Sequence, residues 1–95
     1  MFVIILTYIK PLEQVDELVP AHRAFLKTCY EKKLLICSGR QNPPVGGVIL
    51  SNADSLETVW SILRQDPFYL QSVAKYEVIE FTPALHDERF ACFLK

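Results

Sequence analysis

The sequence predicts an α+β fold built in the order strand, helix, strand, strand, helix, strand. Three observations carry that prediction. Residues 2–9 form a continuous run rich in β-branched and aromatic side chains, the pattern of a central strand covered on both faces. Two later segments repeat apolar residues at steps of three and four, the signature of helices with one buried face. Between them, two short apolar runs flank a loop of Gly, Asn and Pro, which reads as an antiparallel hairpin with a long connection.

Each element has a local reason. Lys10-Pro11 stops the first strand, because proline cannot donate to a ladder. Val15, Leu18, Val19, His22, Phe25, Leu26 and Cys29 then share one helical face. Pro20 interrupts that pattern. Proline is tolerated in a first helical turn, so the regular helix is expected to start near Val19, after an irregular turn. Lys32-Lys33 stand at its C-terminus, where cations favour the dipole. Residues 34–38 read as the second strand, 39–44 as a loop and 46–50 as the third strand. Asp54 with Glu57 resembles a capping box, and Leu56, Val59, Trp60 and Leu63 mark the inner side of a second helix. Asp66-Pro67 starts a helix of its own, a side-chain acceptor followed by proline in the first turn. Residues 76–81 alternate as the fourth strand, with Tyr76 and Val78 on one face and Glu77, Ile79 and Phe81 on the other. Pro83 ends it. Residues 90–94 read as a short extra strand or an arm reaching a neighbour.

This order is the split β-α-β arrangement of ferredoxin-like domains. Right-handed crossovers put both helices on one face of the sheet and leave the other bare. Half of the 95 residues are hydrophobic, more apolar surface than a small monomer hides. Two copies are therefore expected to stack sheet to sheet as a homodimer, a dimeric α+β barrel. One domain is expected over residues 1–95, with its core at about 2–83 and an extension at 84–95.

Composition narrows the function. The net charge is −1, with no basic run beyond Lys32-Lys33, so no nucleic-acid partner is expected. Cys29, Cys37 and Cys92 have no C-x-x-C spacing. They read as reduced, buried thiols rather than as a disulfide scaffold or a zinc site. The apolar N-terminus has no basic leader and falls short of the ~20 residues that span a bilayer. A cytoplasmic protein without a membrane partner is the expectation.

The chemistry-bearing residues are few. His22, in Pro20-Ala21-His22-Arg23, lies on the inward face of the first helix, and Asp66 opens Asp66-Pro67-Phe68. If the fold brings them together, the carboxylate fixes one imidazole tautomer and stabilises the protonated ring, which suits proton transfer near neutral pH. Ser38 is a candidate to orient a substrate oxygen, and Arg40 to clamp an anion. His86, in a polar turn, has no spacing that points to metal ligation. Neither a phosphate-cradling glycine motif nor a nucleophile elbow is present.

Several of these residues fall into a pattern. Pro20-Ala21-His22 ahead of Phe25-Leu26, Leu34-Leu35 leading to Ser38-Gly39, Gly47, and Asp66-Pro67-Phe68 together resemble the YCII-related family of small bacterial proteins. The resemblance spans residues 2–83. It implies a ferredoxin-like dimeric barrel and a His–Asp active site, which by motif position falls on His22 and Asp66. Ser38 and Gly39 match the glycine segment that borders the cleft, and Phe68 completes the Asp-Pro-Phe motif. Ser38, Gly39, Arg40 and Phe68 are thus the expected substrate-binding set. One departure stands out: the family often has proline after Ser-Gly, and here Arg40 follows. Some members are linked to the degradation of halogenated aromatics. The expected function is a small-molecule enzyme working by acid–base proton transfer (lyase, isomerase or dehalogenase-like), needing no cofactor and no metal. The alternatives are a non-catalytic module that binds a small metabolite, and a structural or accessory homodimer.

Overall fold

The computed structural model describes residues 1–94. Its elements are β1 (Phe2–Tyr8), α1 (Leu12–Glu31), β2 (Leu35–Arg40), β3 (Gly46–Ser51), α2 (Leu56–Leu63), α3 (Pro67–Leu70) and β4 (Ala74–Glu80), followed by a 3-10 helix at Glu88–Phe93. The four strands form one sheet in the order β2-β3-β1-β4, and every neighbouring pair is antiparallel. This is the ferredoxin-like α+β topology.

β1 lies inside the sheet, with Ile4 opposite Ile49 and Val78, and Leu6 opposite Gly47 and Tyr76. Its burial alternates. Phe2, Ile4 and Leu6 are buried in one cluster with Val15, Leu26 and Cys29 of α1, Val59 and Leu63 of α2, and Phe68 of α3. Val3 and Ile5 point the other way and are only partly covered. The apolar run thus packs on helices on one side alone. On the other side Val48 and Ile79 are exposed.

Gly46 answers to a close backbone approach between β3 and β1. A Cβ there would lie 1.7 Å from the Leu6 carbonyl oxygen, so only glycine fits without moving the strands. Gln41 helps pin the hairpin to β1, its side-chain amide donating to the carbonyls of Leu6 and Gly47.

The structure departs from the sequence-based expectation at four places. α1 begins at Leu12 and runs for 20 residues straight through Pro20. Proline removes one N–H donor and crowds the preceding turn. Val15 before it and Leu26 and Cys29 after it are all buried in the same core, and that shared packing holds one continuous helix. The cap of α2 is Ser55 rather than Asp54, with the Ser55 hydroxyl accepting from the Thr58 N–H at 3.2 Å. Residues 88–93 form a 3-10 helix, not a strand. Asp87 starts it by accepting from the Arg89 N–H, and Asn52 ties its end down by donating to the Phe93 carbonyl at 2.9 Å. Of the three thiols, Cys29 is buried whereas Cys37 and Cys92 are exposed. Burial pushes the Cys29 thiol above its ordinary value. No helix among the described residues is long and apolar enough to cross a membrane.

Candidate functional site

His22 and Asp66 come from segments far apart in sequence and meet at the start of α3. α1 carries His22 on its packed face, in its third turn. Asp66 is the N-cap of α3, its Oδ1 accepting from the Phe68 N–H at 2.9 Å. The same Oδ1 lies 2.7 Å from His22 Nδ1. Asp66 is fully buried, while the His22 side chain keeps 13% of its surface open. Tyr76, on β4, donates its hydroxyl to Asp66 Oδ2 at 2.8 Å. Three donors thus converge on one buried carboxylate, which satisfies a group that would be costly to bury unpaired.

This geometry assigns the imidazole tautomer. A carboxylate that already accepts from an amide and a phenol takes an N–H from the ring as well, so Nδ1 carries the hydrogen. Nε2 is then the nitrogen left to a ligand. The ring plane is held too. His22 stacks on Phe68 with centroids 3.9 Å apart and planes 4° from parallel. Phe68 in turn meets the Tyr8 ring edge-on. The Tyr76 phenol is raised well above the ordinary tyrosine range, first by burial and then by the charge of Asp66 and the hydrogen bond to it.

A cleft of about 140 Å³ opens beside this pair. His22, Arg23 and Leu26 of α1, Leu6 and Tyr8 of β1, Phe68, and Ser38, Gly39 and Arg40 of β2 all line it. A β-bulge between Leu35 and Cys37 positions that last set. Before the bulge Leu35 pairs with Ser51 on the buried face. After it Ser38 pairs with Ile49 and Arg40 with Gly47. The extra residue switches which positions face the helices, so Ser38 and Arg40 turn into the cleft and Cys37 turns away.

Ser38 and Arg40 are held from neighbouring elements. The Ser38 and Tyr30 hydroxyls are 2.6 Å apart. Arg40 donates to the Tyr8 hydroxyl at 3.1 Å and to the Asp16 carboxylate at 2.5 Å. The Asp16 bond, then that to Tyr8, raises the guanidinium further above its usual range, so it stays charged. All six residues singled out from the sequence therefore bound or underlie one cleft. Tyr76, Tyr30, Asp16 and Arg23 were not singled out. Only the alternation of β4 hinted at Tyr76, by placing it on the same face as Val78.

Among the described residues, no three His, Cys, Asp or Glu side chains cluster as metal ligands would. Comparison with known proteins adds the family. No curated protein matches the chain significantly. Among solved structures, the fold is similar to that of 5-chloro-2-hydroxyhydroquinone dehydrochlorinase from Burkholderia phenoliruptrix, in complex with 2,5-dihydroxybenzoquinone. The TM-score is 0.71 at 20% identity, covering 86% of this chain and 94% of that one. The family description of the YCII-related domain matches residues 1–82. With that much of its length matched, the chain belongs to the YCII-related family.

Proposed function

We propose that the cleft is the active site of a small-molecule enzyme that works by proton transfer, with His22 as the acid–base group. The observation that carries this reading is the 2.7 Å contact between His22 Nδ1 and Asp66, beside a cleft onto which the ring opens. Neutral His22 has its Nε2 lone pair available to take a proton from a substrate carbon or hydroxyl. The electron pair left behind moves into an adjacent carbonyl, or it expels a leaving group as an anion. The imidazolium so formed is stabilised by Asp66, which keeps its charge while Tyr76 and the Phe68 amide hold it in place. Returning the proton from Nε2 to another substrate atom gives an isomerase. Releasing it to water after loss of chloride gives a dehydrochlorinase. Ser38, Gly39, Arg40 and Phe68 serve in this reading as the substrate-binding wall.

The reaction named for the structural neighbour supplies the first substrate to try. Wild-type protein and His22→Ala are each incubated with 5-chloro-2-hydroxyhydroquinone, and chloride release is followed. Wild type is expected to release chloride, and His22→Ala to be slower by about 10²–10⁴-fold, the usual worth of a general acid or base. An equally fast His22→Ala protein with an unchanged circular dichroism spectrum would remove His22 from the mechanism. Saturable binding with no product would favour a binding module instead.

The proposal extends to assembly. The sheet face opposite the helices carries Val3, Ile5 and Ile79. Covering it with a second copy removes that apolar surface from water at ~25 cal/mol per Å², which favours a homodimer of stacked sheets.

A further inference from the structure

The charge around the cleft is one-sided. The chain has four arginines. Arg40 pairs with Asp16, Arg89 pairs with Asp87, and Arg64 lies over the Trp60 ring. Among the described residues, Arg23 forms no ion pair and no ring contact. It directly follows His22 in α1 and lines the same cleft as Arg40. None of the cleft-lining residues is a carboxylate. Asp66 is fully buried and its oxygens are engaged by His22, Phe68 and Tyr76. Asp16 meets Arg40 from α1 and leaves Arg23 uncompensated.

The uncompensated Arg23 guanidinium on a concave surface with apolar walls focuses a positive potential into it, and Arg40, its charge balanced by Asp16, adds N–H donors at the rim. Leu6, Leu26 and Phe68 supply those walls, and Tyr8 adds an aromatic edge. The space, about 140 Å³, is close to the ~150 Å³ cavity that takes up one benzene ring. We infer that the cleft selects a single-ring organic oxyanion, a ring carboxylate or an ionised ring hydroxyl, with Arg23 as the principal anion contact and Arg40 as a fixed second donor. This rests on the acid–base reading of the same cleft and adds the class of substrate. It also gives the charge a purpose. When His22 takes a proton from a substrate that is already anionic, negative charge builds up on the ring, and Arg23 offsets it.

The test compares two probes of near-equal shape and different charge state, anionic 2,5-dihydroxybenzoate and its neutral amide, 2,5-dihydroxybenzamide. Binding of each is measured by calorimetry on wild type, Arg23→Gln, Arg23→Lys and His22→Ala. Wild type is expected to prefer the benzoate by about ten-fold or more, the worth of one charge-assisted hydrogen bond. Arg23→Gln is expected to remove most of that preference, and Arg23→Lys to restore part of it. Added salt weakens the benzoate and leaves the amide unchanged. Equal binding of both probes by wild type overturns the inference, as does binding of neither, or a preference that survives Arg23→Gln. His22→Ala separates this from the acid–base reading. A charge preference retained in His22→Ala together with full turnover ends only the role of His22. A preference absent from wild type ends only the anion proposal.

Discussion

Tyr76 donates to the one oxygen of Asp66 that His22 leaves free, at 2.8 Å. The phenol of an inner strand face is thereby joined through one buried acid to the imidazole of α1. What looks like a two-residue contact is a three-member line from β4 through the start of α3 to the cleft, and stability and chemistry share it.

Asp66→Ala should be among the most destabilising substitutions in the chain. It orphans the Phe68 N–H and the Tyr76 hydroxyl and deletes the cap of α3. Leaving buried donors unpaired costs about 1–3 kcal/mol each, and the Phe68 N–H bond is itself the cap. Urea denaturation is the measurement. A loss below about 1 kcal/mol would show that water or a rearranged side chain replaces the carboxylate.

Tyr76→Phe should lower stability by about 1–3 kcal/mol near neutral pH, since Asp66 Oδ2 loses its donor. The pH dependence has a definite sign. The Tyr76 phenol is raised in the folded state by burial and by Asp66. Its contribution is therefore complete below the ordinary tyrosine value of about 10 and declines as the pH climbs past it, because only the unfolded chain ionises there. The gap between wild type and Tyr76→Phe should narrow above about pH 10. A gap that stays constant up to pH 11 would mean that the phenol ionises alike in both states.

Gly46→Ala and Gly39→Ala make a matched pair. At Gly46 the new methyl meets the Leu6 carbonyl at 1.7 Å, whereas at Gly39 nothing lies within 4 Å. The first should cost about 1–3 kcal/mol or more by forcing β3 from β1. The second should stay within about 0.5 kcal/mol, as exposed substitutions usually do. Thermal melts of the two variants under one condition decide it, and equal melting temperatures would contradict the strand spacing.

Ile79→Lys places a charge on the sheet face opposite the helices, where Ile79 pairs with Val3 and is 44% exposed. Light scattering at micromolar concentration should give a dimer for wild type and a monomer for the variant. A monomeric wild type would remove the stacked dimer, and a variant that stays dimeric would place its interface elsewhere.

Much of the fold could be read from local signals. The run at residues 2–9 announced β1, the three-and-four spacing announced the inner face of α1, and Asp66-Pro67 named its own cap. Local signals failed where distant packing decides. Pro20 argued for a late helix start, yet the core contacts of Val15 on one side and Leu26 on the other outweigh one lost hydrogen bond. The contact of His22 with Asp66 could be anticipated from two motifs. The link to Tyr76 could not, because it depends on the register that sets Tyr76 opposite Leu6. Arg23 gave no signal at all, since an arginine reveals its lack of a counter-ion only when its neighbours in space are known.

The irregularity in β2 has a further consequence. Strand sides are assigned by parity, so one added or lost residue exchanges them. Paired without the bulge, a regular strand through Ile36 would invert everything downstream: Cys37 would lie opposite Ile49 and turn inward, while the serine and the guanidinium would swing out to water. The pocket's chemistry is therefore written in a spacing as much as in side chains. A relative that keeps every functional residue but pairs this stretch without the bulge would present another wall altogether.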